Sequence, residues 1–210
     1  HFAIRLQRRM KELGARSVIV TSAARGEGKT TTAVNIAMAL AVGGARVLLI
    51  DADMRRPSVH KALRMANDRG LSQLLAGQAR MREVVQRTHD PNLLTITAGR
   101  TPANPSELLA SDRMRALLAG LETGPFDWII IDTPPVLAVT DAIVVSRFVD
   151  ATIVVISAGD TSRRQVQETI KSLEMSSAPI IGFVLNRAGD EDRNLYGYSY
   201  GAAADGSPPG

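Results

Sequence analysis

SVIVTSAARGEGKTTTAVNIAMALAV, residues 17–42, is the stretch of sequence that decides the fold. It opens with residues rich in β-branched side chains, which predict a buried strand. A turn that contains Gly26 and Gly28 follows, and an alanine-rich helix begins near Lys29. A strand, a glycine-containing turn, Gly-Lys-Thr and a helix N-terminus together form the pattern of a phosphate-binding loop, the P-loop.

The backbone of this turn explains why the pattern binds phosphate. Gly26 and Gly28 can adopt conformations that direct successive N–H groups to one point. The helix leaves its first amides unpaired and aims the positive end of its dipole at the same point. Lys29 is expected to reach the β and γ phosphates of a nucleotide, and the Thr30 hydroxyl to hold Mg²⁺. The strict pattern has glycine at the position of Ala23, a mild departure, and the alternative is an ordinary turn between a strand and a helix.

Composition restricts the classes of protein that this chain can belong to. With 210 residues, 45% hydrophobic and 22% charged, we expect one globular domain with a sizeable core. No apolar run reaches the roughly 18 residues of a membrane-spanning helix. The absence of cysteine excludes disulfides and thiolate metal sites. The net charge of +4 is dispersed along the chain, so we expect no nucleic-acid partner. Because the chain begins at His1, we expect a part of a longer protein.

Apolar runs alternate with helical patterns through the rest of the chain. Because these runs are apolar on both faces, we predict an α/β fold with a mostly parallel central sheet and helices on both faces. Residues 81–87 have the pattern of a short helix, and Ser106 is expected to cap one helix that continues to about Leu121. Further strands are predicted at residues 47–50, 93–98, 126–131, 151–157 and 180–185.

The predicted organisation has three parts. Residues 1–16 form an N-terminal helix that is a possible oligomer contact, residues 17–190 form the P-loop domain, and residues 191–210 form a flexible, disordered tail.

Acidic side chains follow two of the predicted strands. Asp132 fits the Walker B aspartate, which holds Mg²⁺ directly or through water. Asp51 and Asp53 are two residues apart on an extended segment and therefore face the same side. Because ligands of parallel sheets bind beyond the carboxyl ends of the strands, we expect these acids to meet Lys29 there. Phosphoryl transfer needs metal charge, positioning and a proton acceptor, which carboxylates can supply. The alternatives are a helix cap for Asp132 and solvated turn acids for the other two.

Taken together, these motifs resemble the bacterial tyrosine kinases (BY-kinases), P-loop autokinases that regulate capsule and exopolysaccharide production. The resemblance covers nearly the whole chain and implies a P-loop NTPase fold that uses ATP and Mg²⁺. The matching stretches are TSAARGEGKTTTAVNIA, VLLIDADMRRPSVH, GLSQLLAG, AGRTPANPSELLAS and DWIIIDTPPVLAVTDA.

The resemblance also implies roles for particular residues. Asp51 would be the base or metal-linked activator of a tyrosine hydroxyl, with Asp53 supporting it. Catalysis is assigned to Lys29, Asp51, Asp53 and Asp132, and metal binding to Thr30, Asp51 and Asp132. Nucleotide binding is assigned to Arg25, Gly26, Glu27, Gly28, Lys29, Thr30, Thr31 and Asn186, the last at a position that contacts adenine in related ATPases.

All three tyrosines of the chain, Tyr196, Tyr198 and Tyr200, lie in a glycine-rich segment near its end. The alternative to a functional role is a low-complexity tail. The resemblance implies phosphoacceptors, modified by a neighbouring subunit of a homo-oligomeric ring. Each phosphate would add a charge of about −1.5 to −2, so we hypothesise that phosphorylation loosens the ring by repulsion.

The ring contact of the family uses an N-terminal E-x-x-R-x-x-R motif. Arg5 and Arg8 match its two arginines, and Phe2 stands at the position of the glutamate. We therefore expect Arg5 and Arg8 to be oligomer contacts in a weakened interface. A second departure is Arg25, where the family has proline.

The resemblance implies a transmembrane polysaccharide co-polymerase or activator as partner, fused to the chain or separate. The expected location is the cytoplasm, at the inner face of the cell membrane. Two other classes stay open. A MinD/ParA-like ATPase switch would carry a second lysine at the position of Ala24. A non-enzymatic nucleotide-binding module of polysaccharide assembly would lose Lys29 or one of the acids, and this chain keeps all of them.

Overall fold

The computed structural model describes residues 2–188, and the backbone alone of Phe2. The predicted tail and its three tyrosines lie outside this range. The centre of the described part is a seven-stranded sheet with the strand order β3-β4-β2-β5-β1-β6-β7. Its strands are β1 (Ser17–Ser22), β2 (Val47–Asp51), β3 (Val85–Arg87), β4 (Leu93–Ile96), β5 (Trp128–Asp132), β6 (Ala151–Ser157) and β7 (Ile180–Asn186).

Helices connect consecutive strands except β3 and β4, and the pairing of the strands is mostly parallel. Every neighbouring pair is parallel except β3 with β4. None of the described helices is both long and apolar enough to cross a membrane. The described helices are α1 (Phe2–Leu13), α2 (Lys29–Val42), α3 (Val59–Leu63), α4 (Leu71–Leu75), α5 (Met81–Val84), α6 (Pro105–Leu109), α7 (Asp112–Glu122), α8 (Asp141–Ser146) and α9 (Arg163–Glu174).

The two faces of the sheet carry separate hydrophobic cores. Val18 and Val20 of β1 pack on one face with α1 and α2, which contribute Met10 and Leu40. Ile19 points to the other face and packs in a core to which α4, α6, α7 and α8 contribute. Alternating side chains of one strand therefore fill both cores, which is why β1 is buried throughout. The predicted α/β class with helices on both faces is confirmed.

Two predicted helices are wrong in part. The helix predicted over residues 81–87 ends at Val84, and Val85–Arg87 instead pairs with β4 as a short antiparallel edge strand. Three residues are too few to show a period of two, so the sequence pattern could not separate this strand from a helix. The helix predicted from Ser106 to about Leu121 is two helices, α6 and α7. Ser111 breaks it in an extended conformation, and its hydroxyl caps α7 by accepting from the amide of Met114 at 3.2 Å.

The order of the central strands determines where the site lies. β5 lies between β1 and β2, with Asp132 level with Val20 on one side and Asp51 on the other. The P-loop therefore begins beside the ends of the two strands that carry acidic residues.

Candidate active site

The turn between β1 and α2 has the geometry expected of a P-loop. Gly26 and Gly28 have φ angles of 76° and 87°, in the left-handed region that favours glycine. A Cβ atom on Gly28 would also lie 2.1 Å from the side-chain nitrogen of Asn186. The first intrahelical bond of α2 runs from the amide of Thr32 to the carbonyl of Gly28 at 2.9 Å. The preceding amides have no partner within the helix and can bind an anion.

Lys29 is the centre of a charged cluster at the end of the sheet. Its ammonium lies 3.0 Å from Asp53 Oδ2 and 3.3 Å from Asp132 Oδ1. The Thr30 hydroxyl donates to Asp132 Oδ2 at 2.6 Å. Side chains from the start of α2, from the loop after β2 and from the end of β5 thus meet at one point, as the parallel topology predicted.

Burial and charge act in opposite directions on this cluster. Burial alone would lower the pKa of Lys29, but the negative charges of Asp132 and Asp53 outweigh it and raise that pKa. Burial raises the pKa of Asp132, against the opposing effects of Lys29 and of the Thr30 hydrogen bond. Lys29 is therefore firmly protonated, and its charge compensates the buried carboxylates.

Asp51 lies at the end of β2 and contacts backbone rather than Lys29. Its carboxylate is fully buried and accepts from the amides of Asp53 at 3.0 Å, Ser58 at 3.1 Å and Val59 at 3.1 Å. These bonds hold both ends of the loop over residues 52–58 and cap the start of α3. Burial, and then repulsion by Asp132, raise the pKa of Asp51 from 3.8 to about 8. Of the two acids Asp51 and Asp53, Asp53 is the one in contact with Lys29, although the sequence analysis assigned it only a supporting role.

The donor atoms at this site fit a magnesium–nucleotide complex. Within residues 2–188, no group of three or more His, Cys, Asp or Glu side chains could hold a metal ion by itself. Mg²⁺ needs no such group, because it prefers oxygen and commonly takes one or two carboxylates together with phosphate oxygens and water. The Thr30 hydroxyl and the Asp132 carboxylate are oxygen donors of this kind. Asp51 is less available as a metal ligand, because three of the roughly four acceptor positions of its carboxylate already accept hydrogen bonds from backbone amides.

Glu27 contacts protein groups with its side chain, although the sequence assigned it to the nucleotide. The side chain is buried, and its Oε2 accepts from the amide of Ala24 at 2.9 Å. Its Oε1 accepts a hydrogen bond from the hydroxyl of Thr161, which follows β6. Glu27 therefore fixes the shape of the P-loop, and its backbone amide is the part directed to a phosphate in such loops.

Asn186 at the end of β7 and Arg187 directly after it hold the P-loop from a second side. Asn186 donates from its side-chain nitrogen to the carbonyl of Glu27 at 3.0 Å. Arg187 donates to the carbonyl of Gly26 at 2.9 Å and pairs with Asp160 at 3.0 Å. The sequence analysis missed Arg187, Asp160 and Thr161. The available signal was their position, since polar residues after parallel strands lie at the ligand-binding edge.

The other predicted residues lie at the surface or outside the described range. Arg25 and Thr31 are exposed at the P-loop and the start of α2. Arg5 and Arg8 are exposed on α1, where Arg8 pairs with Glu12 at 3.1 Å. The three tyrosines lie outside residues 2–188, so their role stays a prediction.

The segment that follows Asp132, residues 133–136, is hydrogen-bonded to β1. The amide and hydroxyl of Thr133 both donate to the carbonyl of Val20 at 3.1 Å. The hydroxyl of Thr21 donates to the carbonyl of Pro134 at 2.9 Å, and the amide of Val136 donates to Ser22 at 2.9 Å. These bonds fix Asp132 beside the P-loop.

Comparison with known proteins places the chain among kinases. A family model described as an AAA domain matches residues 15–179. The tyrosine-protein kinase YwqD of Bacillus subtilis is 40% identical over 87% of this chain and 77% of its own length. The solved kinase domain of the Escherichia coli tyrosine kinase ETK is 38% identical with a TM-score of 0.82, covering 86% of this chain and 71% of that chain. Other curated tyrosine kinases are longer, and the chain spans only 24–26% of them.

A protein of the MinD class is less similar. The septum site-determining protein MinD of Pyrococcus horikoshii, solved with Mg-ADP, is 25% identical with a TM-score of 0.70, covering 83% of this chain and 71% of that chain. Its fold is shared, but its sequence is further away than those of the kinases. The chain therefore belongs to the bacterial tyrosine kinase (BY-kinase) family.

Proposed function

We propose that the chain is an ATP-dependent protein-tyrosine kinase that phosphorylates the tyrosine cluster of a second copy, at Tyr196, Tyr198 and Tyr200. The observation that carries this proposal is the position of Lys29. Its ammonium lies between Asp53 and Asp132 at the mouth of the P-loop, and Thr30 contacts the same Asp132. This arrangement combines phosphate binding with a carboxylate beyond those that metal binding needs.

Each group in the site has a distinct task in this reaction. ATP with Mg²⁺ supplies, when bound, the phosphoryl group and the metal charge. The P-loop amides and Lys29 bind and orient the phosphate oxygens, and Thr30 and Asp132 hold the metal. Asp53 accepts the proton of the tyrosine hydroxyl. At the same time the tyrosine oxygen bonds to the γ-phosphorus, and the bond from this phosphorus to ADP breaks. We assign this task to Asp53 because Asp51 is fully buried and bonded to three amides.

We further propose that the kinase works at the inner face of the cell membrane, through a membrane-spanning segment or partner that regulates exopolysaccharide or capsule production. The length of the relatives supports this idea, because the chain spans about a quarter of several of them. We also propose a homo-oligomer, because phosphorylation in trans requires two copies in contact.

The proposal predicts phosphotyrosine after incubation with Mg-ATP. Lys29→Met should abolish the signal, because the ammonium that orients the phosphates is lost. Lys171→Met is the matched control, since Lys171 is exposed on α9 away from the P-loop, and it should retain the signal. Phosphotyrosine detection on purified protein is the measurement, and circular dichroism checks the fold.

A mixing experiment separates the catalyst from the acceptor. A triple Phe variant of the three tail tyrosines keeps the site, and Lys29→Met keeps the tail. Neither should label itself, and a mixture of the two should label the Lys29→Met chain. Phosphotyrosine in Lys29→Met alone would contradict the kinase assignment, and a signal in the triple Phe variant alone would move the acceptor elsewhere.

A further inference from the structure

Arg55 is at the centre of a charged cluster that the assigned site does not include. Its guanidinium donates to both carboxylate oxygens of Asp141, from Nε at 2.9 Å and from Nη2 at 3.4 Å. The same Nη2 donates to the hydroxyl of Ser106 at 2.9 Å, and that hydroxyl donates to Asp141 at 2.6 Å. The side chain of Asp141 is fully buried, whereas that of Arg55 is 38% exposed. We call these three residues the Arg55 cluster.

The Arg55 cluster joins three segments that leave neighbouring strands. Arg55 follows β2, Ser106 lies in α6 after β4, and Asp141 opens α8 after β5. These strands are adjacent in the order β4-β2-β5. A forked guanidinium can make bonds in fixed directions to two partners at once, so the cluster sets the relative position of the three segments.

Two of these segments carry the acids that contact Lys29. Asp53 lies two positions before Arg55 in the same loop, and Asp132 ends the strand that leads to α8. The start of the loop is fixed by Asp51, through the amide of Asp53, and by the bond from the amide of Ala52 to the carbonyl of Asp132 at 2.7 Å. In the part of the loop after Asp53, Arg55 makes the side-chain hydrogen bonds to Ser106 of α6 and Asp141 of α8.

Charge also links the cluster to the site. The hydrogen bond with Asp141 is the largest influence on the pKa of Arg55 and raises it, and Asp53 adds a smaller attraction in the same direction. Arg55 therefore acts on Asp53 both through the loop and through its charge.

We propose that Arg55 is a positioning residue for phosphoryl transfer: by binding Asp141 and Ser106, it holds the loop after β2 so that the Asp53 carboxylate faces Lys29 and the acceptor hydroxyl. This inference rests on the proposed kinase function and deepens it. Arg55 touches neither nucleotide nor tyrosine in this scheme, and its effect passes through Asp53.

The chain offers a control at the opposite ends of the same strands. Arg46 pairs with Asp127 through Nη2 at 3.3 Å and Nε at 3.4 Å. Arg46 directly precedes β2, and Asp127 directly precedes β5. This pair therefore joins the starts of β2 and β5, whereas Arg55 joins the segments that follow the same two strands. A variant at Arg46 loses a forked arginine–carboxylate pair, here an exposed one, without touching the loop of Asp53.

The test compares Arg55→Gln, Arg55→Lys and Arg46→Gln. We expect Arg55→Gln to lower the kcat of tyrosine phosphorylation about 100-fold, the loss that a displacement near 1 Å can cause. The Kd for Mg-ATP should change little, because the P-loop is intact. Arg55→Lys keeps the charge but loses the fork, and it should recover part of the loss. Arg46→Gln should match wild type.

A second readout needs neither nucleotide nor activity. Lys29 is one of four lysines, so NMR of the lysine side chains can follow its pKa in the ligand-free protein. Loss of the Asp53 contact should lower the pKa of Lys29 in Arg55→Gln and leave it unchanged in Arg46→Gln. Arg55→Gln leaves the carboxylate of Asp141 buried without its cation, which can unfold the protein. If this single variant is unfolded, the double variant Arg55→Gln with Asp141→Asn is used in its place. The same loss of kcat is expected there.

Equal kcat and equal Lys29 pKa in the Arg55 and Arg46 variants would overturn the inference. So would a loss of kcat in Arg55→Gln without any change at Lys29. If the wild-type chain forms no phosphotyrosine, the proposed function fails, and the comparison of Lys29 pKa values still decides whether Arg55 positions Asp53.

Discussion

Asp51 and Asp53 show how two acids of similar sequence context acquire different environments. Asp51 ends its strand with three backbone amides around its carboxylate. Asp53 lies two residues further along the chain and pairs with Lys29. Spacing alone predicts that both face the site, but the path of the chain back to Ser58 and Val59 surrounds only the first of them.

The raised pKa of Asp51 predicts a pH dependence of stability. Its pKa rises from 3.8 in the unfolded chain to about 8 in the folded protein, so the folded protein holds a proton that the unfolded chain releases. The free energy of unfolding should therefore fall as the pH rises through this interval, and the contribution should be fully present only below the lower value.

Asp51→Asn removes this titration and should flatten the curve. The measurement is urea unfolding at a series of pH values, with Asp127→Asn as the control. Asp127 is an acid in an exposed pair, and its pKa is lowered rather than raised. A wild-type slope that the Asp51 variant retains in full would show that another group is responsible.

At the scale of elements, the P-loop is shaped by the segments after β6 and β7. Thr161 donates to the buried carboxylate of Glu27 and also accepts from the amide of Ser157 at 3.0 Å. Glu27 in turn fixes the amide of Ala24. The turn that binds phosphate thus depends on a hydroxyl far away in sequence.

Thr161→Val should destabilise the protein by about 1–3 kcal/mol, the cost of leaving buried polar groups without a partner. It should also weaken nucleotide binding, because the P-loop loses a contact that holds its shape. Thr169→Val is the control of equal size. The Thr169 hydroxyl is buried on α9 and has no hydrogen-bond partner among residues 2–188, so its loss should be neutral or stabilising.

Denaturant unfolding and fluorescent-nucleotide binding measure both effects. Equal stability losses in the two variants would mean that the contact between Thr161 and Glu27 contributes nothing specific. A stability loss at Thr161 without weaker nucleotide binding would mean that the P-loop keeps its shape without this hydroxyl.

At the scale of the whole molecule, phosphorylation and assembly should be coupled. Three phosphates on the tail add a charge of roughly −4.5 to −6 to each copy, which repels neighbouring copies that carry the same charge. A phosphorylated wild-type sample should therefore sediment as smaller species than the Lys29→Met protein at equal concentration. Removal of the phosphates by a phosphatase should restore the larger species. Identical sedimentation of all three samples would contradict this coupling.

The sequence predicted the sheet and the meeting of Lys29 with its acids because both follow from rules that act along one chain segment or one strand end. Apolar runs predict parallel strands, and parallel strands bring their ends together. The break at Ser111 and the strand at Val85–Arg87 were missed because two helices in succession and a three-residue strand leave almost no periodic signal. Arg55 was missed for another reason: its partners, Ser106 and Asp141, are far away in sequence, and nothing local indicates them.

The pairing of Lys29 with Asp53 and Asp132 has a thermodynamic consequence. In the ligand-free protein the lysine already satisfies two carboxylates, so an incoming polyphosphate competes with them for the ammonium and meets their negative charge. A divalent cation held by Asp132, as proposed above, would relieve both costs. Metal and nucleotide should therefore bind with positive cooperativity, each raising the affinity for the other by the same factor. Such a site binds metal-free nucleotide weakly because its own carboxylates repel the phosphates. No separate group is needed to exclude the metal-free form.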